Sequence, residues 1–193
     1  MRFRKTQDRA MKTYIVNLMT IVLITLNTEV HAESASETAT EFYDLVRHEN
    51  YNAAVRYYDP AALREFRQLM SFENEITDQT KRLYYRTFFD PDLTDESINK
   101  LSDSEYFASF WRGVLSSDMV SQSLNYKNVE VIGEVMEKDD LAHVVTRNWI
   151  TAGTDQIEII EVTSFNKIEG VWKIRMSGKL KSIAILLREE VIK

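Results

Sequence analysis

The feature that most constrains the fold is a change of hydrophobic period near Tyr126. Before it, apolar residues recur every three or four positions, as in an amphipathic helix, whereas after it they alternate with polar residues, as in a strand. Turn residues separate the strand-like runs, which are 128–136, 141–151, 156–166 and 171–178. Strands joined by short turns pair antiparallel. The sequence therefore predicts an α+β fold in which N-terminal helices pack on a four-stranded antiparallel sheet.

The helical half carries recognisable start and stop signals. Ser34 with Glu37, and Ser102 with Glu105, have the capping-box spacing that starts a helix. Pro60 suits the first turn of a helix and prevents the preceding one from continuing through it. We therefore predict helices that begin near residues 34, 51, 60 and 102, another through 83–88, and a C-terminal helix over 181–192.

Residues 1–32 have the layout of a signal peptide. Basic residues precede the apolar run 14–26, and Val30-His31-Ala32 has the small-x-Ala pattern of a cleavage site. The run is shorter than the roughly 20 residues that cross a bilayer, although an uncleaved anchor remains the alternative. We predict a periplasmic or secreted protein with one α+β domain over 33–193 and no membrane span after cleavage.

Composition excludes several classes of function. Residues 33–193 hold 19 basic and 28 acidic residues, a net charge of −9 that disfavours nucleic acid as a partner. The chain has no cysteine, and its two histidines beyond residue 32, His48 and His143, lack the spacing of a metal site. The sequence predicts no metal and no cofactor.

A tight turn at Lys138-Asp139 would set the register of the predicted sheet. That register places Glu134 opposite His143 and Glu130 opposite Arg147, so that unlike charges pair on one face. The other face is apolar and is predicted to meet the helices. Its members are Val131, Gly133, Val135, Ala142, Val144, Ile150, Ile157, Ile159, Phe165, Trp172, Ile174 and Met176.

The opposite face mixes charged with large apolar side chains. Its members are Glu130, Ile132, Glu134, His143, Val145, Arg147, Trp149, Ile160, Val162, Lys173 and Arg175. Apolar patches of this kind often mark an interface. We predict an interface that includes His143, Arg147, Trp149 and Arg175, with homodimerisation as one hypothesis.

The order of helices followed by a meander resembles the nuclear transport factor 2-like superfamily. The likeness covers residues 34–178 and includes the strand Gly170-x-Trp172-Lys173-Ile174 and the helical opening at Tyr51 to Tyr58. It implies a curved, cone-shaped sheet with a ligand site between the helices and the concave face. That superfamily contains enzymes, ligand-binding modules and adaptors, so the resemblance does not select a function. The long segment 60–117 and the C-terminal helix depart from the pattern.

Four polar residues interrupt the face that is predicted to be buried: Thr146, Asn148, Glu161 and Thr163. The register places Thr146 opposite Glu161. A buried carboxylate must gain hydrogen bonds or carry a raised pKa. We predict a pocket at these residues with Trp111 and either Tyr84 or Tyr85 as its lid. Alternatively, Glu161 reaches solvent at the mouth of the sheet or caps a helix.

Three hypotheses of function follow. The first is an exported, non-catalytic domain that binds a small apolar or amphiphilic ligand, or a partner protein. The second is an isomerase or dehydratase with Glu161 as general base. The third is an assembly protein that dimerises through the outward sheet face. A packed interior would favour assembly, and a large closed cavity at Glu161 would favour binding or catalysis.

Overall fold

The computed structural model describes residues 34–71, 76–89, 93–116, 126–152 and 155–192. The helices are α1 (Ala35–Arg47), α2 (Tyr51–Ala54, continued as a 3-10 turn over Val55–Tyr57), α3 (Pro60–Leu69), α4 (Asp78–Phe88), α5 (Asp95–Lys100), α6 (Asp103–Ser116) and α7 (Gly178–Ile192). The strands are β1 (Tyr126–Lys138), β2 (Leu141–Ala152), β3 (Asp155–Ile168) and β4 (Val171–Ile174). The strands form one antiparallel sheet in the order β1-β2-β3-β4. The predicted α+β class with a C-terminal helix is confirmed, whereas the predicted signal peptide lies outside the described residues.

Capping hydrogen bonds occur at two of the predicted helix starts, those of α1 and α3. The Ser34 hydroxyl accepts from the amide of Glu37 at 3.1 Å, and the Glu37 carboxylate accepts from the amide of Ser34 at 3.0 Å. Asp59 caps α3 by accepting from the amide of Ala61 at 2.8 Å. These bonds satisfy amides that have no partner within the helix, which is why α1 and α3 begin at these residues.

The core lies where the helices pack on one face of the sheet, and a cluster of aromatic side chains fills much of it. Phe66 of α3 and Phe107 of α6 lie 4.7 Å apart between ring centroids, and Phe107 lies 4.9 Å from Tyr58. Tyr58 joins the helical half to the sheet, because it bridges Ile174 at the end of β4. The buried sheet residues are Ala142, Val144, Thr146, Asn148, Phe165, Trp172 and Ile174. The face predicted to meet the helices is therefore correct at these positions of β2, β3 and β4, whereas Ile157 near the start of β3, predicted to be inside, is 44% exposed.

The predicted register of β1 is correct only at its N-terminal half. Glu130 pairs with Arg147 as predicted, but the register shifts after Val131, and Gly133 pairs with Val145 rather than with Val144. Ile132 is the extra residue of a β-bulge, which the sequence pattern did not reveal. A second register shift lies between Met136 and Lys138, and the two shifts together place the turn at residues 139–140 and not at 138–139.

The bulge exchanges the two faces over residues 133–136 of β1. Val135, predicted to be inside, is 59% exposed. Glu134, predicted to pair with His143, pairs with Val144 on the helical side and accepts a hydrogen bond from the amide of Ser36 at 2.9 Å. That amide belongs to the first turn of α1, where a carboxylate is favourable.

The C-terminal boundary also differs from the prediction. β4 ends at Ile174 rather than near residue 178, and α7 begins at Gly178 rather than at 181. The carbonyl of Ile174 accepts a hydrogen bond from the amide of Asp59 at 2.9 Å. The last residue of β4 is therefore bonded to the helical half instead of to a further strand.

Candidate functional site

The four predicted polar residues of the inner face come together on β2 and β3. Thr146 pairs with Glu161 as predicted, and Thr146 and Asn148 are fully buried. The Glu161 side chain is 19% exposed. Its carboxylate accepts from Asn148 Nδ2 at 2.7 Å and from Lys179 Nζ at 2.6 Å. The carboxylate has thus gained the hydrogen bonds that were expected of a buried carboxylate.

Two members of this cluster were missed from the sequence. Tyr43 of α1 shares a hydrogen bond with Thr163, with 3.1 Å between their oxygens. Burial raises the pKa of Tyr43 and outweighs the lowering by Thr163. Tyr43 lies one turn before Val46 on the buried side of α1, and this helical spacing could have placed it in the core. Lys179 carried no signal, because its partner is distant in the sequence.

The aromatic residues predicted as a lid pack among the helices. Trp111 lies edge-on to Tyr51 and Tyr58 at centroid distances of 6.2 and 5.8 Å. Tyr84 donates a hydrogen bond to Met70 Sδ at 3.5 Å, and Tyr85 lies 5.4 Å from Phe89. These contacts belong to the helical core, and the lid itself stays a prediction.

The inner cluster joins β2, β3 and α7 through the hydrogen bonds of Glu161. Each oxygen of the Glu161 carboxylate already accepts a hydrogen bond within the protein, one from Asn148 and the other from Lys179. Asn148 Oδ1 is buried and has no hydrogen-bond partner among the described residues. Thr146 Oγ1 is also buried without a partner among these residues, so the cluster holds two unused polar oxygens beside a carboxylate that is paired with Lys179.

A small cleft opens between α1 and β1. Its volume is about 100 Å³, and Tyr43, Arg47, Asn128 and Val131 are among the residues that line it. Pockets for small organic molecules measure about 300 Å³ or more. The cleft can hold a few waters, since one water occupies about 30 Å³.

The outward face of the sheet presents large aliphatic side chains to solvent. They are Ile132, Val135, Ile160 and Val162, which are 42%, 59%, 51% and 59% exposed. Val145 is half-buried between Gly133 and Val162. An apolar group thus occupies the middle of the outward face on three strands.

Charged side chains lie at both ends of this apolar group. At one end Arg147 binds Glu130 at 3.0 Å and Glu158 at 3.1 Å, and its guanidinium lies 6.0 Å from the Trp149 ring centroid. At the other end His143 contacts Glu137 at 2.8 Å. The hydrogen bond from His143 is the main reason that the pKa of Glu137 is lowered.

The predicted interface residues all lie on or beside this outward face. His143 also contacts the hydroxyl of Ser164 at 2.9 Å, and Arg175, just after β4, is exposed. The exposed aliphatic side chains were present in the predicted face, but Val135 joined them only because of the bulge.

Within the described residues, no group of three histidine, aspartate or glutamate side chains is placed to hold a metal ion. No described helix is both long and apolar enough to span a membrane. Comparison of the chain with family models, curated proteins and solved structures gave no match.

Proposed function

We propose that the protein is an exported, non-catalytic domain that binds a partner protein through the outward face of β1, β2 and β3. The export part of the proposal is supported by the pattern of residues 1–32. The binding part is supported by one observation, the exposure of Ile132, Val135, Ile160 and Val162 on a single sheet face. Contiguous apolar surface of this kind is typical of interaction sites.

The surroundings of the apolar group support an interface rather than a chance exposure. A binding surface has an apolar centre and a polar rim, and polar side chains that contact one another lie at both ends of this one. Long paired strands offer an extended platform, since β1, β2 and β3 contain 13, 12 and 14 residues. A platform of this kind loses little conformational entropy on binding.

The inner cluster gives weaker support to a small-ligand site and to an enzyme. The cleft beside it is smaller than a site for an amphiphilic ligand, and Glu161 is already held by Lys179 and Asn148. Asn148 Oδ1 and Thr146 Oγ1, which are buried and have no hydrogen-bond partner among the described residues, are the observations in favour of a ligand there. A domain with a neutralised carboxylate and an exposed apolar face is better suited to binding a protein than to proton transfer.

Site-specific photo-crosslinking in cells that produce the full chain tests the proposal. A photoreactive residue in place of Val162 is expected to give a discrete crosslinked product, because the partner covers this position. The matched control is Leu83 on α4, which is 66% exposed but lies on a helix. Equal crosslinking at Val162 and Leu83 would contradict the proposal. So would the absence of crosslinks both at Val162 and at Ile160, a second position on the same face.

A further inference from the structure

We propose that the occupant of the outward face is a second copy of this chain, related to the first by a two-fold axis that crosses the strands near Val145. The inference rests on the proposed function and names the partner of the same surface. In such an arrangement the two sheets stack face to face, about 10 Å apart, with their outward side chains between them.

The apolar row at the middle of the face is suited to lie on its own copy. Gly133 pairs with Val145, and Val145 pairs with Val162, so the row crosses three strands beside the bulge residue Ile132. An axis along this row brings each member opposite the same member of the second copy. Aliphatic side chains then contact aliphatic side chains, and the surface of Ile132 and Val162 that was exposed is removed from water in both copies.

The charges at the two ends decide the direction of the axis. Glu130, Arg147 and Glu158 give one end a net charge of −1. At the other end Glu137 and its close neighbours Lys138 and Arg175 give a net charge of +1. An axis across the strands lays each end on the opposite end of the second copy. Unlike net charges then meet, which favours this docking over others.

The other face-to-face arrangement is less favourable. An axis that runs along β2 would lay each end on the same end of the second copy, with Arg147 facing Arg147. Like charges placed opposite each other across an interface are repulsive. A partner of unrelated sequence would not require the two ends to be opposite in sign, and this self-complementarity is the argument for a second copy.

The size of the face is sufficient for a stable dimer. Strands of 12 to 14 residues rise about 3.3 Å per residue and lie about 4.8 Å apart, so three of them cover about 600 Å². Two copies would bury about 1,200 Å², the lower limit of a standard specific interface.

Sedimentation of the full chain, with its N-terminus as the producing cell leaves it, tests the inference. We expect a species of twice the chain mass at about 10 μM, since interfaces near this size reach micromolar affinity. Val162→Glu would place two carboxylates close to the axis, and we expect the dissociation constant to rise about 100-fold. Ile132→Glu, at the bulge beside the same row, serves as the second variant if the first fails to fold, and Leu83→Glu is the control that should leave the dimer intact.

Charge reversal tests the direction of the axis. Glu158→Arg or Arg175→Glu alone should weaken the dimer about tenfold, and the double variant should recover most of the loss, because the axis lays the end that carries Glu158 on the end that carries Arg175. A double variant as weak as the sum of the single ones would overturn the arrangement.

The outcomes separate this inference from the proposed function. A monomer at these concentrations that still crosslinks to a different protein at Val162 overturns the second copy and leaves the binding face in place. A monomer without crosslinks at Val162 and Ile160 overturns both.

Discussion

At the scale of single residues, Gly113 allows the closest approach between two helices. A Cβ atom at this position of α6 would lie 2.6 Å from the carbonyl oxygen of Phe88 and 2.6 Å from the carbonyl carbon of Phe89. Both atoms belong to the backbone at the end of α4, which cannot turn away as a side chain can. Gly113 therefore sets the distance between α4 and α6.

We expect Gly113→Ala to lower the free energy of unfolding by about 1–3 kcal/mol. Alanine is about 1 kcal/mol better than glycine inside a helix, so a net loss would show that the steric cost outweighs the gain in propensity. Urea denaturation measures the change. The control is Gly133→Ala, because nothing lies within 4 Å of a Cβ there, and its effect should stay within about 0.5 kcal/mol. Equal stabilities of the two variants would contradict the close approach.

Single residues were predictable where the information is local or follows the sheet register. The capping box of Ser34 and the pairing of Thr146 with Glu161 were both correct. Lys179 and Ser36 were not foreseen as partners of Glu161 and Glu134, because a helix that returns to the sheet brings together residues that no periodicity relates.

At the scale of elements, α7 is attached to the rest of the molecule by polar contacts along its length. Lys179 binds Glu161 of β3, Lys181 binds Glu65 of α3 at 2.6 Å, and Arg188 donates to the carbonyl of Leu69 at 3.4 Å. Ala184 is its fully buried residue. The contact with Glu161 is the one that fixes the first turn of α7 to the sheet.

We expect Glu161→Gln to accelerate amide hydrogen exchange in the first turn of α7, because the change removes the charge that holds Lys179 while it preserves the side-chain shape. Lys179 is largely exposed, so the loss of unfolding free energy should stay within about 1 kcal/mol. Exchange followed by mass spectrometry measures the effect. Lys100→Met, which breaks the exposed pair with Glu96 in α5, should leave α7 unchanged. The tie is refuted if both variants exchange alike.

Element types were predictable, whereas irregularities within elements were not. The change of period near Tyr126 located the sheet, but a bulge at Ile132 adds one residue without altering composition. Helix α5 was missed because six residues are too few for a periodic pattern, and its cap pairs Thr94 with Ser97 instead of glutamate or glutamine.

At the scale of the whole molecule, buried tyrosines make stability sensitive to alkaline pH. Burial, aided by the hydrogen bond to Glu41, raises the pKa of Tyr57 from 10.0 to about 12. Burial also raises the pKa of Tyr84 and of Tyr106 well above its ordinary value. The phenolate is disfavoured in the core because it would lose its hydration there.

We expect the free energy of unfolding to be constant below about pH 10 with respect to these groups and to fall as the pH rises above it. The unfolded chain releases its tyrosine protons near the ordinary pKa, before the folded chain does, so each raised pKa stabilises the fold only at lower pH. Urea denaturation at a series of pH values measures the slope. Tyr57→Phe should reduce it, which separates the tyrosine effect from the loss of lysine charge. An identical slope in the variant would count against the raised pKa.

The bond between the amide of Asp59 and the carbonyl of Ile174 joins two distant parts of the sequence. Contacts of this kind form late, since a long stretch of chain must first be ordered. During synthesis the helices emerge before the sheet on which they pack. We therefore expect this bond to close only after β4 has been synthesised.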